Sequence, residues 1–237
     1  MRADLFPAPP VPRVPFAGRD QDFPVHRIYC VGRNFADHAK EMGAPVERGT
    51  PVIFMKPADA VHLHPRLPCP SGTQDLHHEV EMVVALGRDA DGPLAPGQGL
   101  GLVCGYGVGL DLTRRDLQAI AKDKRLPWDV SKGFDASAPV SALRHVDDIG
   151  HPAPETALWL EINGERRQAS TLGEMIFGVD DVLVHLATLF RLRAGDLLFM
   201  ATPAGVAALP PGVRSRAERE GLADRGGALV APAGARR

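Results

Sequence analysis

Residues 79–86, Glu-Val-Glu-Met-Val-Val-Ala-Leu, constrain the fold more than any other stretch. Side chains alternate faces along a strand, so Glu79 and Glu81 must point the same way. Their face continues into Val83 and Ala85, and two carboxylates therefore lead onto an apolar row. Burying both requires that one hold a proton or that a cation lie between them. An edge strand with both glutamates in water satisfies the same spacing.

A second strand is expected over 106–112, with Tyr106, Val108, Leu110 and Leu112 on one face and Gly107, Gly109 and Asp111 on the other. The second face carries no bulk ahead of its carboxylate. Glycine inside a strand often marks a close approach by a ligand or another backbone, although tight sheet packing beside a surface aspartate reads the same way. Thr113 with Asp116 has the form of a capping box that opens a helix. A short helix over 37–42 would set His38 and Glu41 at i and i+3 on one face. A carboxylate beside an imidazole orients it and stabilises its cation, so the pair can take a proton from water near neutral pH; a solvated helical pair is the plainer alternative. Lysine is scarce, with only Lys40, Lys56, Lys122, Lys124 and Lys132 among 27 Lys and Arg. Lys132 lies in an apolar, glycine-flanked context suited to a catalytic ammonium, whereas Lys122 and Lys124 read as a solvated helix face.

At 237 residues the chain suits one large domain or two small ones, and no linker divides it. The formal net charge of -2 supplies no field to draw nucleic acid or an anionic membrane. Cys30, Cys69 and Cys104 lack CxxC spacing, which argues against a disulfide framework or a zinc knuckle and for a reducing cytoplasm. No run reaches the roughly 18 apolar residues of a membrane span. Six prolines make residues 1–24 an extended arm. Strands are expected over 25–31, 52–55, 79–86, 106–112 and 158–162, and Asn163-Gly164 should turn the last onto 166–168 as a type I′ hairpin. Asn34 is the expected cap of the first helix, and helical spacing recurs over 116–124 and 182–190. Residues 211–237 shift to Arg, Ala and Gly without strand alternation and read as an unpacked tail.

Six segments, GRNFADHAKEM, FMKPADAV, LHHEVEMVVALG, GYGVGLDLTRRDLQ, PWDVSKGFDASAPVS and FMATPAGV, resemble in order and spacing the fumarylacetoacetate hydrolase family, in particular its bacterial fumarylpyruvate and acylpyruvate hydrolases. The resemblance spans about residues 25–208. It implies an α+β, β-rich fold, a mixed-sheet β-roll with short peripheral helices over 25–210, and a cytoplasmic homodimer. It sets metal carboxylates at Glu79, Glu81 and Asp111, a water-activating pair at His38 and Glu41, and an active-site lysine at Lys132. Substrate contacts fall on Arg33, Gln118 and Thr202. Two departures stand out: Ala201-Thr202-Pro203-Ala204-Gly205-Val206-Ala207 has alanine where the family has glycine, which narrows the backbone room, and 211–237 lack the family's last apolar strand.

Three carboxylates make a hard oxygen site for Mg²⁺ or Mn²⁺, with Ca²⁺ also admissible. The implied activity is cleavage of a C–C bond in a 2,4-dioxo acid, fumarylpyruvate or a related acylpyruvate, to pyruvate and a carboxylic acid such as fumarate, in the catabolism of aromatic compounds. Oxaloacetate decarboxylation, hydroxymuconate isomerisation and a non-catalytic metal-binding descendant are the alternatives.

Overall fold

A computed structural model describes residues 4–41, 49–210, 212 and 215–219, with the backbone only for 38–40 and 215–219. Among the described residues a six-stranded sheet runs edge to edge as Arg144–His145, Val103–Leu110, Val80–Leu86, Asp196–Phe199, Arg27–Gly32 and Val52–Lys56. Only the pairing of Asp196–Phe199 with Arg27–Gly32 is parallel, so the sheet is mixed. The Val80–Leu86 strand is buried at every position, which rules out the edge-strand reading. Its Val80, Met82, Val84 and Leu86 join one core with Leu158, Leu160, Leu183 and Leu186. Val83 and Ala85 join a second with Phe16, Ile28, Leu143 and Phe199. The helices are short and few: Ala36–Glu41, Arg115–Asp123, Asp129–Lys132, Val146–Ile149 and Val179–Leu189. None is long and apolar enough to cross a membrane.

The hairpin forms as its turn residues dictate. Asn163 (φ 54°) and Gly164 (φ 83°) occupy the left-handed region, and Ala157–Ile162 pairs antiparallel with Glu165–Thr171.

Four local expectations are refined or corrected. The proline-rich arm is extended, but part of it is paired and packed: Arg13–Pro15 pairs antiparallel with Asp22–Pro24, and Val14, Phe16 and Phe23 are buried. Prolines are tolerated in so short a ladder, and the aromatic and β-branched side chains between them supply the burial. Within the tail, Ser215–Arg219 pairs antiparallel with Ala157–Ile162. Ladder hydrogen bonds use main-chain groups, so a charged segment closes an open strand edge without apolar alternation. Asn34 does not cap a helix; its side chain bonds Phe177 N–H at 2.7 Å and the carbonyls of Phe177 and Met200. The Thr113–Asp116 capping box is absent too, because Asp116 accepts from Thr73 and Gln74 while the Thr113 hydroxyl donates to the Asp111 carbonyl.

Candidate active site

Register brings the acids together. Glu81 lies opposite Gly109 in the antiparallel pair, and Asp111 N–H donates to the Glu79 carbonyl at 2.8 Å just beyond the strand ends. Glu79, Glu81 and Asp111 thus share one end of the sheet, all buried, with ligand oxygens within 4.8 Å of one another. The glycines ahead of Asp111 serve packing: a Cβ on Gly109 would stand 2.6 Å from the Phe199 ring, and one on Gly107 would stand 3.0 Å from Leu143.

Three cations hold the acids. Lys132 Nζ donates to Glu79 Oε2 at 2.8 Å, to Asp111 Oδ2 and to Thr113 Oγ1 at 2.7 Å. Lys56 Nζ lies 2.8 Å from Asp111 Oδ1, and Arg115 donates to Glu79 Oε1. Burial disfavours the Lys132 ammonium, but the charges of Asp111 and Glu79 and their hydrogen bonds outweigh it and hold the group above its ordinary value. Glu81 is placed differently, accepting the Ala201 N–H at 2.7 Å. Burial, then the charges of Asp111 and Glu79, push its carboxyl well above the ordinary range. A carboxyl so disfavoured as an anion gains from a divalent cation, and three buried oxygen donors at this spacing suit a hard ion. The residues therefore fit Mg²⁺ or Mn²⁺.

Ala201 adopts φ 72°, a left-handed conformation that costs a non-glycine residue about 1 kcal/mol and here aims its N–H at Glu81. Glycine is kept where it is indispensable: at Gly205 (φ 94°) a Cβ would stand 2.1 Å from the Arg167 carbonyl.

Of the other expected site residues, Arg33 (φ 59°), Gln118 and Thr202 line one cleft with the acids, Lys132 and Arg115. The helix Ala36–Glu41 carries His38 and Glu41 three residues apart, and Gly205 N–H lies 3.3 Å from each Glu41 carboxylate oxygen. The His38 side chain lies outside the described part of the structure. Lys122 contradicts its reading as a solvated residue: it is partly buried, lines the cleft and lies 5.6 Å over the Trp128 ring. Its neighbours Arg115 and Gln118 share its helix face, a stripe that the count of isolated lysines overlooked.

Lys56, Arg115 and Gln168 were also missed. Lys56 and Arg115 stand inside FMKPADAV and DLTRRDLQ, but their acidic partners are 55 and 36 residues away. Gln168 sits in a strand with no apolar alternation, so nothing local marks it as buried. Its Nε2 donates to the Pro203 carbonyl at 2.8 Å and to Thr202 Oγ1 at 2.7 Å, while its Oε1 accepts from Val80 N–H at 3.1 Å and lies 2.9 Å from His78 Nδ1. A carbonyl can only accept, so this amide has one orientation and the His78 proton is on Nδ1. The Thr202 hydroxyl, already accepting, is left to donate into the cleft.

A mixed sheet that ends in a buried acidic triad beneath a cationic cleft defines the class, an α+β protein with a built site for a divalent ion. Residues 27–230 match the fumarylacetoacetate hydrolase C-terminal family, and the chain belongs to that family of enzymes acting on small molecules. The structure of a fumarylpyruvate hydrolase from Pseudomonas aeruginosa, in complex with Mn²⁺ and pyruvate, superposes with a TM-score of 0.91 at 40% identity, covering 97% of this chain and 100% of that one. An oxaloacetate tautomerase of Escherichia coli is 38% identical over 192 residues, 81% of this chain and 87% of that protein. A mitochondrial oxaloacetate decarboxylase of Dictyostelium discoideum is 38% identical over 191 residues, 78% and 85% of the two chains.

Proposed function

We propose that the chain hydrolyses the C3–C4 bond of a 2,4-dioxo acid, fumarylpyruvate or a related acylpyruvate, to pyruvate and a carboxylic acid. The observation that carries this reading is the position of Lys132, an ammonium fixed between Glu79 and Asp111 at the base of a cleft with further cations on its walls. A divalent ion held by Glu79, Glu81 and Asp111 supplies Lewis acidity toward the 2-oxo acid. Thr202 donates its hydroxyl proton, and Gln118 and Arg33 their N–H groups, to the substrate's oxygens. His38, oriented by Glu41, takes a proton from water as the water oxygen bonds to C4. When C3–C4 breaks, the electron pair becomes the pyruvate enolate, whose charge the Lys132 ammonium stabilises, and C3 then takes up a proton.

The likeness to oxaloacetate tautomerases favours a second reading on the same residues, proton transfer at C3 of oxaloacetate without C–C cleavage. Incubation with Mn²⁺ and separate samples of fumarylpyruvate, acetylpyruvate and enol-oxaloacetate, following pyruvate and enol absorbance, decides between them. Hydrolysis predicts pyruvate from the first two; loss of the enol signal with no pyruvate from any sample would assign the tautomerase.

The orientation of Gln168 makes a narrower claim. Gln168→Glu cannot donate to Thr202, so the hydroxyl turns to the new carboxylate and presents lone pairs to the substrate. KM for the 2-oxo acid should rise about 10-fold, with a smaller change in kcat, as for loss of one hydrogen bond to a charged group. Thr202→Val should reproduce the rise. Unchanged KM values in both variants would remove Thr202 from substrate binding.

A further inference from the structure

The acids of the site are matched by Lys56, Lys132 and Arg115, each paired with Glu79 or Asp111. Two more cations line the same cleft, Arg33 and Lys122, and among the described residues neither forms an ion pair. Arg115, Gln118 and Lys122 stand at i, i+3 and i+7 on the helix Arg115–Asp123, and so form one stripe about 10 Å long along the helix axis. The stripe begins at Arg115, bonded to buried Glu79, and ends at partly buried Lys122, beside the Trp128 ring, and exposed Arg33 lines the same cleft. Positive charge is thus carried outward from the acids, and among the described residues no carboxylate pairs with Lys122 or Arg33. Burial above all, then the charges of Arg115 and Arg33, push the Lys122 amine down to about 8, with Glu79 acting in the opposite direction.

We propose that Lys122, with Arg33, forms a second carboxylate subsite on the outer wall of the cleft, which selects 2-oxo acids carrying a distal carboxylate over their monocarboxylate analogues. The inference rests on the reading of the cleft as a 2-oxo acid site and adds the class of substrate. A monocarboxylate engages only the inner end of the stripe. A dicarboxylate also places an anion where two unpaired cations repel one another, so it gains their attraction and relieves their repulsion. Such a contact to a desolvated charge is worth roughly a 10- to 100-fold preference.

The test uses the Mn²⁺-loaded full chain and two probes that lack a 4-oxo group and so cannot be hydrolysed, 2-oxoadipate and 2-oxohexanoate, titrated calorimetrically. Wild type should bind the dicarboxylate at least about 10-fold more tightly. Lys122→Gln should collapse most of that preference, and Lys122→Arg should retain it. The ratio of kcat/KM for fumarylpyruvate to that for acetylpyruvate should fall in Lys122→Gln by a similar factor. Equal binding of the two probes by wild type, or a preference that survives Lys122→Gln, would overturn the subsite. Turnover of neither dioxo acid, with the binding preference intact and sensitive to Lys122, would refute the hydrolase reading and leave the subsite standing.

Discussion

Exhaustive chelation should abolish turnover, and added Mn²⁺ or Mg²⁺ should restore it, because the three carboxylates at the sheet end are arranged to share a cation. Glu81→Gln isolates the cause. Glu79 and Asp111 keep their lysine and arginine partners in the variant, whereas Glu81 has the Ala201 N–H, which the amide oxygen of glutamine can also accept. The new NH₂ group can donate to the neighbouring carboxylates, so the buried site stays satisfied. Affinity for Mn²⁺ should fall roughly 100-fold or more, exceeding the usual effect of altering a residue that only supports a ligand. The metal-free variant should melt a few degrees above metal-free wild type, about 2–4 °C for each kcal/mol of relieved carboxylate repulsion in a chain this long. Calorimetric titration with Mn²⁺ and thermal melts in EDTA measure the two effects. Full activity in EDTA, or wild-type Mn²⁺ affinity in Glu81→Gln, would separate the acids from the chemistry.

His38→Ala should lower kcat by about 10²–10⁴-fold while moving KM far less, since a general base acts on water and the remaining groups hold the substrate. Glu41, three residues on in the helix Ala36–Glu41, lies against Gly205 in the turn that follows Thr202. The pH profile provides a second readout. Wild-type turnover should rise as the imidazole loses its proton, and that limb should vanish in His38→Ala. Steady-state kinetics between pH 5 and 9 measure both; a variant with unchanged kcat would exclude His38 as the base.

Strand alternation was legible where one rule governs. The Glu79/Glu81 pair shares a face because strand geometry leaves no other choice, and the Asn163-Gly164 turn sets its hairpin because both residues tolerate positive φ. Capping was less legible. Asn34, Thr113 and Asp116 are ordinary cap residues whose polar groups found better partners in Phe177, Asp111 and Thr73. The pairing of Arg13–Pro15 and of Ser215–Arg219 was not legible for a related reason, since composition reports how much a segment can bury but not whether a strand edge waits for its backbone.

The chemistry of the acidic site, its oxygen donors and its family are properties of the chain's local patterns and their order. Which cations answer those acids belongs to the tertiary structure alone. Lys56 reaches Asp111 across 55 residues, and Gln168 reaches His78 across 90. Lys122 has the spacing of a solvated helix residue, and only the fold sets it in the cleft with Arg115 and over the Trp128 ring. Local periodicity decides which face a side chain takes, whereas electrostatic partnership depends on distance and burial, and only the packed chain brings groups so far apart in sequence within reach of one another.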